Sequence, residues 1–377
     1  MDAPTGLDFD LAHHRSVEAV RAVGPVAWVD SLGGWLVVSR DIASSVMRDD
    51  VTFTVDDPRF STAQVVGPSM LSLDGAEHLR HRAPFADPVR PAEATARYAH
   101  TIEHTARAIV QSLRPAGAAE LRRELAGPLA VAVASHVLGV DHVPPAELLA
   151  WYDLIVAAVS SVSTGGDVSP AARAARDSLG QAIEQAMRRD GTLVALAASS
   201  LEPAEVASNA AVFLFGGIET SEGMTANVLH HLLANPAQMQ QVVDDRSLVD
   251  AAVEESLRLE PAAARVDRYA TSDAEVGGVT VRRGDLVVVS LTGANRDPDV
   301  FDRPEAFDVR RANLRSQVAF AHGPHACIGA QLARLQTRAA VSAVIDLLPD
   351  AVLVEPVEVR GAIFRKPVAL EATWPAD

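Results

Sequence analysis

The chain has 377 residues, 48% of them hydrophobic, enough to bury a substantial core in one large domain or two ordinary ones. A formal charge of -16 and a pI near 5.2 repel nucleic-acid phosphates and anionic lipid, and no basic run offsets this locally, so nucleic acid is not an expected partner. The single cysteine excludes an internal disulfide and any multi-thiolate zinc or iron-sulfur site.

The opening "MDAPTGLDFDLAHHRS" lacks the basic end and apolar stretch of a signal peptide. No apolar run is read as approaching the roughly 18 residues of a membrane helix. The expectation is a soluble, cytoplasmic protein with no membrane partner. "PVAWVDSLGGWLVVSR" reads as two short strands around Gly33 and Gly34. Residues 92–236 are dominated by helical patterns, among them "ATARYAHTIEHTARAIVQSL", "AELLAWYDLIVAAVSSV" and "PAARAARDSLGQAIEQAMRR". The helical "LVDAAVEESLRLE" follows, then "AEVGGVTVRRGDLVVVSL", which alternates around Gly277 and Gly278, and "AVLVEPVEVRGAIFRKPVAL" holds a further short pair. With no repeat or low-complexity linker, residues 1–377 read as one domain, mainly α with small β-sheets.

The longest helical pattern, residues 203–235, opens with Pro203 and stops before Pro236, so it would be roughly 45 Å long. It places Gly216 and Gly217 in a helix interior, where each glycine costs about 1 kcal/mol relative to alanine. Close helix packing or a helix break explains such a pair. A groove explains it equally, because Glu219 and Thr220 follow at once and need water or a ligand to satisfy them.

Near the end, "FAHGPHACIG" carries the only cysteine, Cys327, just before the amphipathic "IGAQLARLQTRAAVSAVIDLL". A helix N-terminus favours thiolate there. Gly323 and Gly329 let a loop press against a flat object, Pro324 stiffens it, and Phe320 offers a ring. Four readings stay open on the residues alone: an inert buried thiol, a nucleophile with His325 as base, a mononuclear metal site, and a buried metal-bound thiolate.

These residues resemble the cytochrome P450 haem-thiolate monooxygenases, particularly the soluble bacterial kind, over nearly the whole chain. "FAHGPHACIG" satisfies that family's F-x-x-G-x-H-x-C-x-G loop at every fixed position, "GGIET" its oxygen-activating helix, and Glu255 and Arg258 of "EESLR" its E-x-x-R helix. Alone, Glu255 and Arg258 read as a surface pair, and His78 and Arg82 of "HLRHR" as a solvated helix face. The resemblance implies instead a triangular, helix-rich single domain, with haem b between the long central helix and the helix after the cysteine loop. Cys327 would be the axial iron ligand, Phe320 would pack beneath the haem, and Gly323 and Gly329 would let the backbone approach it. His78, Arg82, Arg268 and His325 would meet the propionates, Gly216 and Gly217 would leave room for dioxygen, and Thr220 and Glu219 would deliver protons.

The same resemblance implies O2, a hydrophobic small-molecule substrate from secondary metabolism, and electrons from a ferredoxin and an NAD(P)H-dependent ferredoxin reductase. Arg80, Arg90, Arg334 and Arg338 are docking candidates, although any single one reads first as a solvated helix residue. Period 2 puts Ala262, Ala264, Val266 and Arg268 on one strand face. The remaining expected pocket walls are Val65, Val66, Met70, Val156, Val159, Phe213, Phe215, Ile363 and Phe364. Epoxidation, desaturation or oxidative coupling are alternatives within the fold, and a haem-thiolate ligand sensor or a haem-free cysteine hydrolase lie outside it. In three places the chain departs from the family pattern: Ala321 stands where glycine is common, Ser221 where a second threonine is frequent, and Ala306 where an arginine often completes the network with Glu255 and Arg258. Arg303 or Arg310 is the expected substitute for that arginine.

Overall fold

The computed structural model describes residues 1–163 and 165–376. Its organising element is the helix Pro203–Ala234, which starts on a capping box between Glu202 and Glu205 and ends at Asn235, ahead of Pro236. It runs unbroken through Gly216 and Gly217, held by buried Phe213, Leu214 and Ile218 on either side of the pair. Helices Gly127–Leu138, Pro170–Ala186, Val249–Leu259 and Ala330–Leu347 all pack on it, and Pro91–Leu113 lies along Ala330–Leu347. One large apolar cluster fills the spaces between these helices, so the helix is buried on most of its circumference.

The expected small sheets form beside this core. Val26–Val29 pairs antiparallel with Gly34–Val37, which runs parallel to Leu286–Ser290; Arg265–Ala270 and Phe53–Thr54 complete five strands. Gly34 is required by that parallel neighbour, because a Cβ there would sit 2.6 Å from the Leu286 carbonyl oxygen. Ala274–Val276 and Val279–Val281 form a hairpin whose two turn residues, Gly277 and Gly278, both have positive φ, the two-residue turn that matches strand twist. At the end of the chain, Val359–Arg360 pairs with Lys366–Pro367. This terminal hairpin is clipped to the entry of the Arg265–Ala270 strand by Ala264 N–H to Ile363 O (2.7 Å) and Arg365 N–H to Ala262 O (2.8 Å).

The reading that no run is long enough for a membrane helix is corrected. Within helix Pro145–Ser163, the 18 residues Pro145–Val162 have a mean hydropathy of 1.3, long and apolar enough to span a bilayer by length and composition. In the fold this helix buries Leu148, Tyr152, Ile155 and Ala158 and packs on Pro170–Ala186. Its other side carries Glu147 and Asp153 into solvent.

Candidate functional site

The cysteine loop is shaped by its own backbone. Cys327 N–H donates to Phe320 O (2.8 Å) and Ala326 N–H to Gly323 O (3.0 Å), which folds the loop back just before helix Ala330–Leu347. Gly323 has φ +77, and a Cβ there would lie 2.3 Å from Met47 O. The backbone of the early helix Arg40–Arg48 is therefore enough by itself to require glycine here. Ala321 adopts φ 57, a left-handed conformation costly for a residue with a Cβ and the reason glycine suits this position. A Cβ on Gly329 would meet nothing within 4 Å.

The Cys327 side chain has free surface although protein crowds it on most sides. Burial pushes the thiol up, against the opposing pull of the Gly329 N–H and the charges of Arg82 and Arg334. The expectation that the helix N-terminus by itself favours thiolate is thus outweighed by desolvation. A thiol pushed up is a poor free nucleophile, whereas metal coordination deprotonates it outright.

Near the thiol stand basic side chains with few bonded partners. His78 is buried, its Nε2 has no hydrogen-bond partner, and burial, then the nearby His325 and Arg82, pushes it down to about 4. Arg268 is only 4% exposed, forms no ion pair among the described residues, and donates only to the carbonyl of its neighbour Asp267 (2.8 Å). Arg82 donates to Ala326 O (2.5 Å), tying its helix to the cysteine loop. His325 differs from these three. Its ring lies 4.3 Å from that of His78, but its Nε2 is bonded to Asp74 Oδ1 at 2.6 Å. Burial would push Asp74 up, yet hydrogen bonds from His325, Thr54 and the Val55 N–H hold it below the usual carboxylate range. Sequence reasoning missed Asp74, whose only signal was its place immediately before helix Gly75–Ala86.

On the long helix, neither glycine is forced by protein packing: a Cβ on Gly217 would make an ordinary 3.6 Å contact with Ala134, and one on Gly216 would meet nothing within 4 Å. The Thr220 hydroxyl donates to the Gly216 carbonyl one turn back. Glu219 is not left to water. It accepts from the Tyr152 hydroxyl (3.1 Å) and pairs with Lys366 Nζ (2.9 Å), which also pairs with Glu222 (2.9 Å). Arg122 closes the row on Glu222 at 2.8 Å. Burial and then Glu219 raise the Tyr152 hydroxyl well above its ordinary range.

Glu255 and Arg258 are no surface pair. Both are wholly buried, with Arg258 Nε and its terminal nitrogen donating to the two carboxylate oxygens at 2.8 and 2.9 Å. The expected third member is corrected: neither Arg303 nor Arg310 reaches Glu255. Arg303 pairs with Asp302 and Asp308, and Arg310 donates to Gln241. Arg311 does the work, its Nε 3.0 Å from both Glu255 oxygens. Ala306 contributes its carbonyl, which accepts from Arg258 (2.9 Å) and Arg311 (3.0 Å) and needs no side chain.

Of the expected pocket walls, Val66, Phe213 and Met70 are buried, and Val65 and Ala264 present almost no free surface, at 2% and 0%. Val156, Val159, Phe215, Val266 and Phe364 are partly open, and Ile363 is exposed at the hairpin turn. Phe215 stands between Tyr152 and Phe364, with ring centroids at 6.1 and 5.8 Å. The docking arginines are each neutralised: Arg80 by Glu77 and Glu205, Arg90 by Asp87, Arg334 by Glu254 and Arg338 by Asp250.

The donor set fits haem: a thiol on an open face, and an orphaned imidazole nitrogen and a buried unpaired guanidinium of the kind two propionates need. Residues 170–347 match the family model described as Cytochrome P450. The chain is 32% identical over 374 residues to "Cytochrome P450 monooxygenase PikC" of Streptomyces venezuelae, covering 92% of this chain and 86% of that one. It is 33% identical over 398 residues to "Nocardicin C N-oxygenase" of Nocardia uniformis subsp. tsuyamanensis, covering 98% of both. The crystal structure of P450BioI in complex with an acyl carrier protein ligated to hexadec-9Z-enoic acid superposes with a TM-score of 0.87 at 25% identity, covering 95% of this chain and 97% of that one. With its haem-binding donor set on a mainly helical fold, this chain belongs to the cytochrome P450 family and is a monooxygenase.

Proposed function

We propose that the enzyme inserts one oxygen atom of O2 into a hydrophobic small molecule, an intermediate of secondary metabolism, in the cytoplasm, with electrons from a ferredoxin and its NAD(P)H-dependent reductase. The observation that carries the substrate class is the aromatic row Tyr152, Phe215 and Phe364, flanked by the partly open Val156, Val159 and Val266. The relatives named "Nocardicin C N-oxygenase" and "20-oxo-5-O-mycaminosyltylactone 23-monooxygenase" support the metabolic class.

Bound haem supplies reductive activation of dioxygen, with Cys327 as the thiolate that favours O-O cleavage. The chain's own residues do the rest. Arg82 and Arg268 supply cations to the propionates, His78 offers its unpartnered ring nitrogen as a neutral hydrogen-bonding group, and His325, held by Asp74, offers only its remaining ring nitrogen. Gly216 keeps the distal side clear, because any side chain there would fill the open space beside it. Thr220, whose hydroxyl proton goes to the Gly216 carbonyl, offers its oxygen as an acceptor at that point, and Glu219, on the same stretch of helix, exchanges protons with the pocket side. Arg334 stacks on Phe320 at 4.5 Å and its charge reaches Cys327, which makes it the docking arginine tied most directly to the site.

The test is the absorption spectrum of the reduced protein under carbon monoxide, followed by turnover of a candidate panel under isotopically labelled O2. A red-shifted Soret band and one labelled oxygen in the product are expected. Well-folded protein without that band would sink the reading, and an unlabelled product lacking two hydrogens would move it to desaturation.

A further inference from the structure

Among 33 basic side chains Lys366 is the only lysine, and it lies between two carboxylates, 2.9 Å from Glu219 and 2.9 Å from Glu222. The charges facing it balance: Glu219 and Glu222 from the long helix, Lys366 from the hairpin, and Arg122 on the far side of Glu222. Tyr152 adds a neutral donor to Glu219, with Asp153 beside it on the same helix. Without Lys366, two carboxylates three residues apart on one helix would share a single guanidinium, which reaches only Glu222.

The lysine's place in the chain gives this row a second consequence. It lies in the Lys366–Pro367 strand, two residues after Phe364, whose ring meets Phe215 edge-on at 5.8 Å. Phe215 is one turn before Glu219. One hairpin therefore carries both a wall of the pocket and the cation on the carboxylate, so anything that presses on the wall acts on the same short strand as the ion pair.

We propose that Lys366 is a positioning residue for Glu219: it holds the carboxylate against Tyr152 at the pocket wall and so ties proton supply to the seating of the terminal hairpin. The inference rests on the reading that Glu219 exchanges protons for the reaction.

The single lysine makes the contact directly measurable. In haem-loaded protein, acetylation of Lys366 by an N-hydroxysuccinimide ester, followed by mass spectrometry, is expected to be slow and to become several-fold faster in Glu219→Gln. An equal rate in the two proteins overturns the contact. The functional arm reads the share of NADPH electrons recovered as hydrogen peroxide, with a plant-type ferredoxin, its reductase and 7-ethoxycoumarin as the probe. Lys366→Met is expected to raise that share several-fold, Lys366→Arg to recover most of the coupling, and Lys366→Met in the Glu219→Gln background to add little. If Lys366→Met stays coupled while Glu219→Gln does not, the proposal falls and the relay stands. If Glu219→Gln is itself fully coupled, the relay reading falls and takes the proposal with it. Should Lys366→Met fail to fold, an Lys366→Arg protein with wild-type acetylation of the N-terminus but peroxide loss equal to Glu219→Gln would also overturn it.

Discussion

Arg258 and Arg268 are both buried arginines, and they differ in what the chain provides for them. Arg258 has two bonds to Glu255, three to the carbonyls of Asn295, Pro304 and Ala306, and the Phe301 ring at 5.3 Å. Arg268 has one carbonyl, from its own neighbour. Burying a guanidinium is costly, and in the first case bonded partners offset the cost, whereas in the second only the unbonded charges of Asp74, Asp267 and Asp50 act on it. The contrast sets an arginine whose donors are bonded within the chain, and which holds the fold, against one whose donors are mostly unused, which is the one we propose for a propionate.

The largest expected effect tests the centre of the second region. Cys327→Ser should abolish turnover and the red-shifted carbon monoxide band while the chain still folds; full activity would end the thiolate assignment. The contrast itself is broken or sharpened by a pair of variants. Arg258→Met leaves the buried Glu255 short of its main partner and should cost about 3–5 kcal/mol in urea unfolding. Arg268→Met should leave the stability of the haem-free chain unchanged or slightly higher while weakening haem retention, and equal losses at both sites would erase the distinction. Within the first region, Arg311→Ala should cost well over 1 kcal/mol, whereas Arg310→Ala, on the surface, should stay within about 0.5 kcal/mol.

Thr220→Ala should keep haem and ligand binding but divert electrons to peroxide, and unchanged coupling would remove Thr220 from the proton path. The smallest effect is on acid stability. His13 and His231 are each pushed down to about 3, chiefly by burial, from a usual 6.5. The unfolded chain therefore binds more protons between those values. Their contribution is whole above pH 6.5 and is lost as pH falls toward 3, with a slope of at most about 1.4 kcal/mol per pH unit for each histidine. Melting temperature followed downward from neutral pH checks this, and a flat profile would contradict it.

Local pattern made much of this legible. The extent of the long helix, the strand pairs around Gly33 and Gly277, and the helix after Cys327 all follow from periodicity and from proline and glycine placement. What periodicity could not reach were partners distant in sequence. Asp74 lies 251 residues from His325, and Lys366 lies 144 residues from Glu222. Arg311 has no motif position of its own, because the geometry asks only that some guanidinium reach Glu255. Gly323 meets the Met47 carbonyl, a partner 276 residues earlier that no local pattern announces.

The sequence by itself determined the element boundaries, the order of the motifs and the family, because those depend on short-range patterns and on residue types at fixed spacing. Only the tertiary structure decided which charges meet. Whether Glu219 is left to water or held by a lysine, and whether a buried arginine is satisfied or left for a ligand, depends on segments that are distant in the chain and are brought together only when the core forms between them.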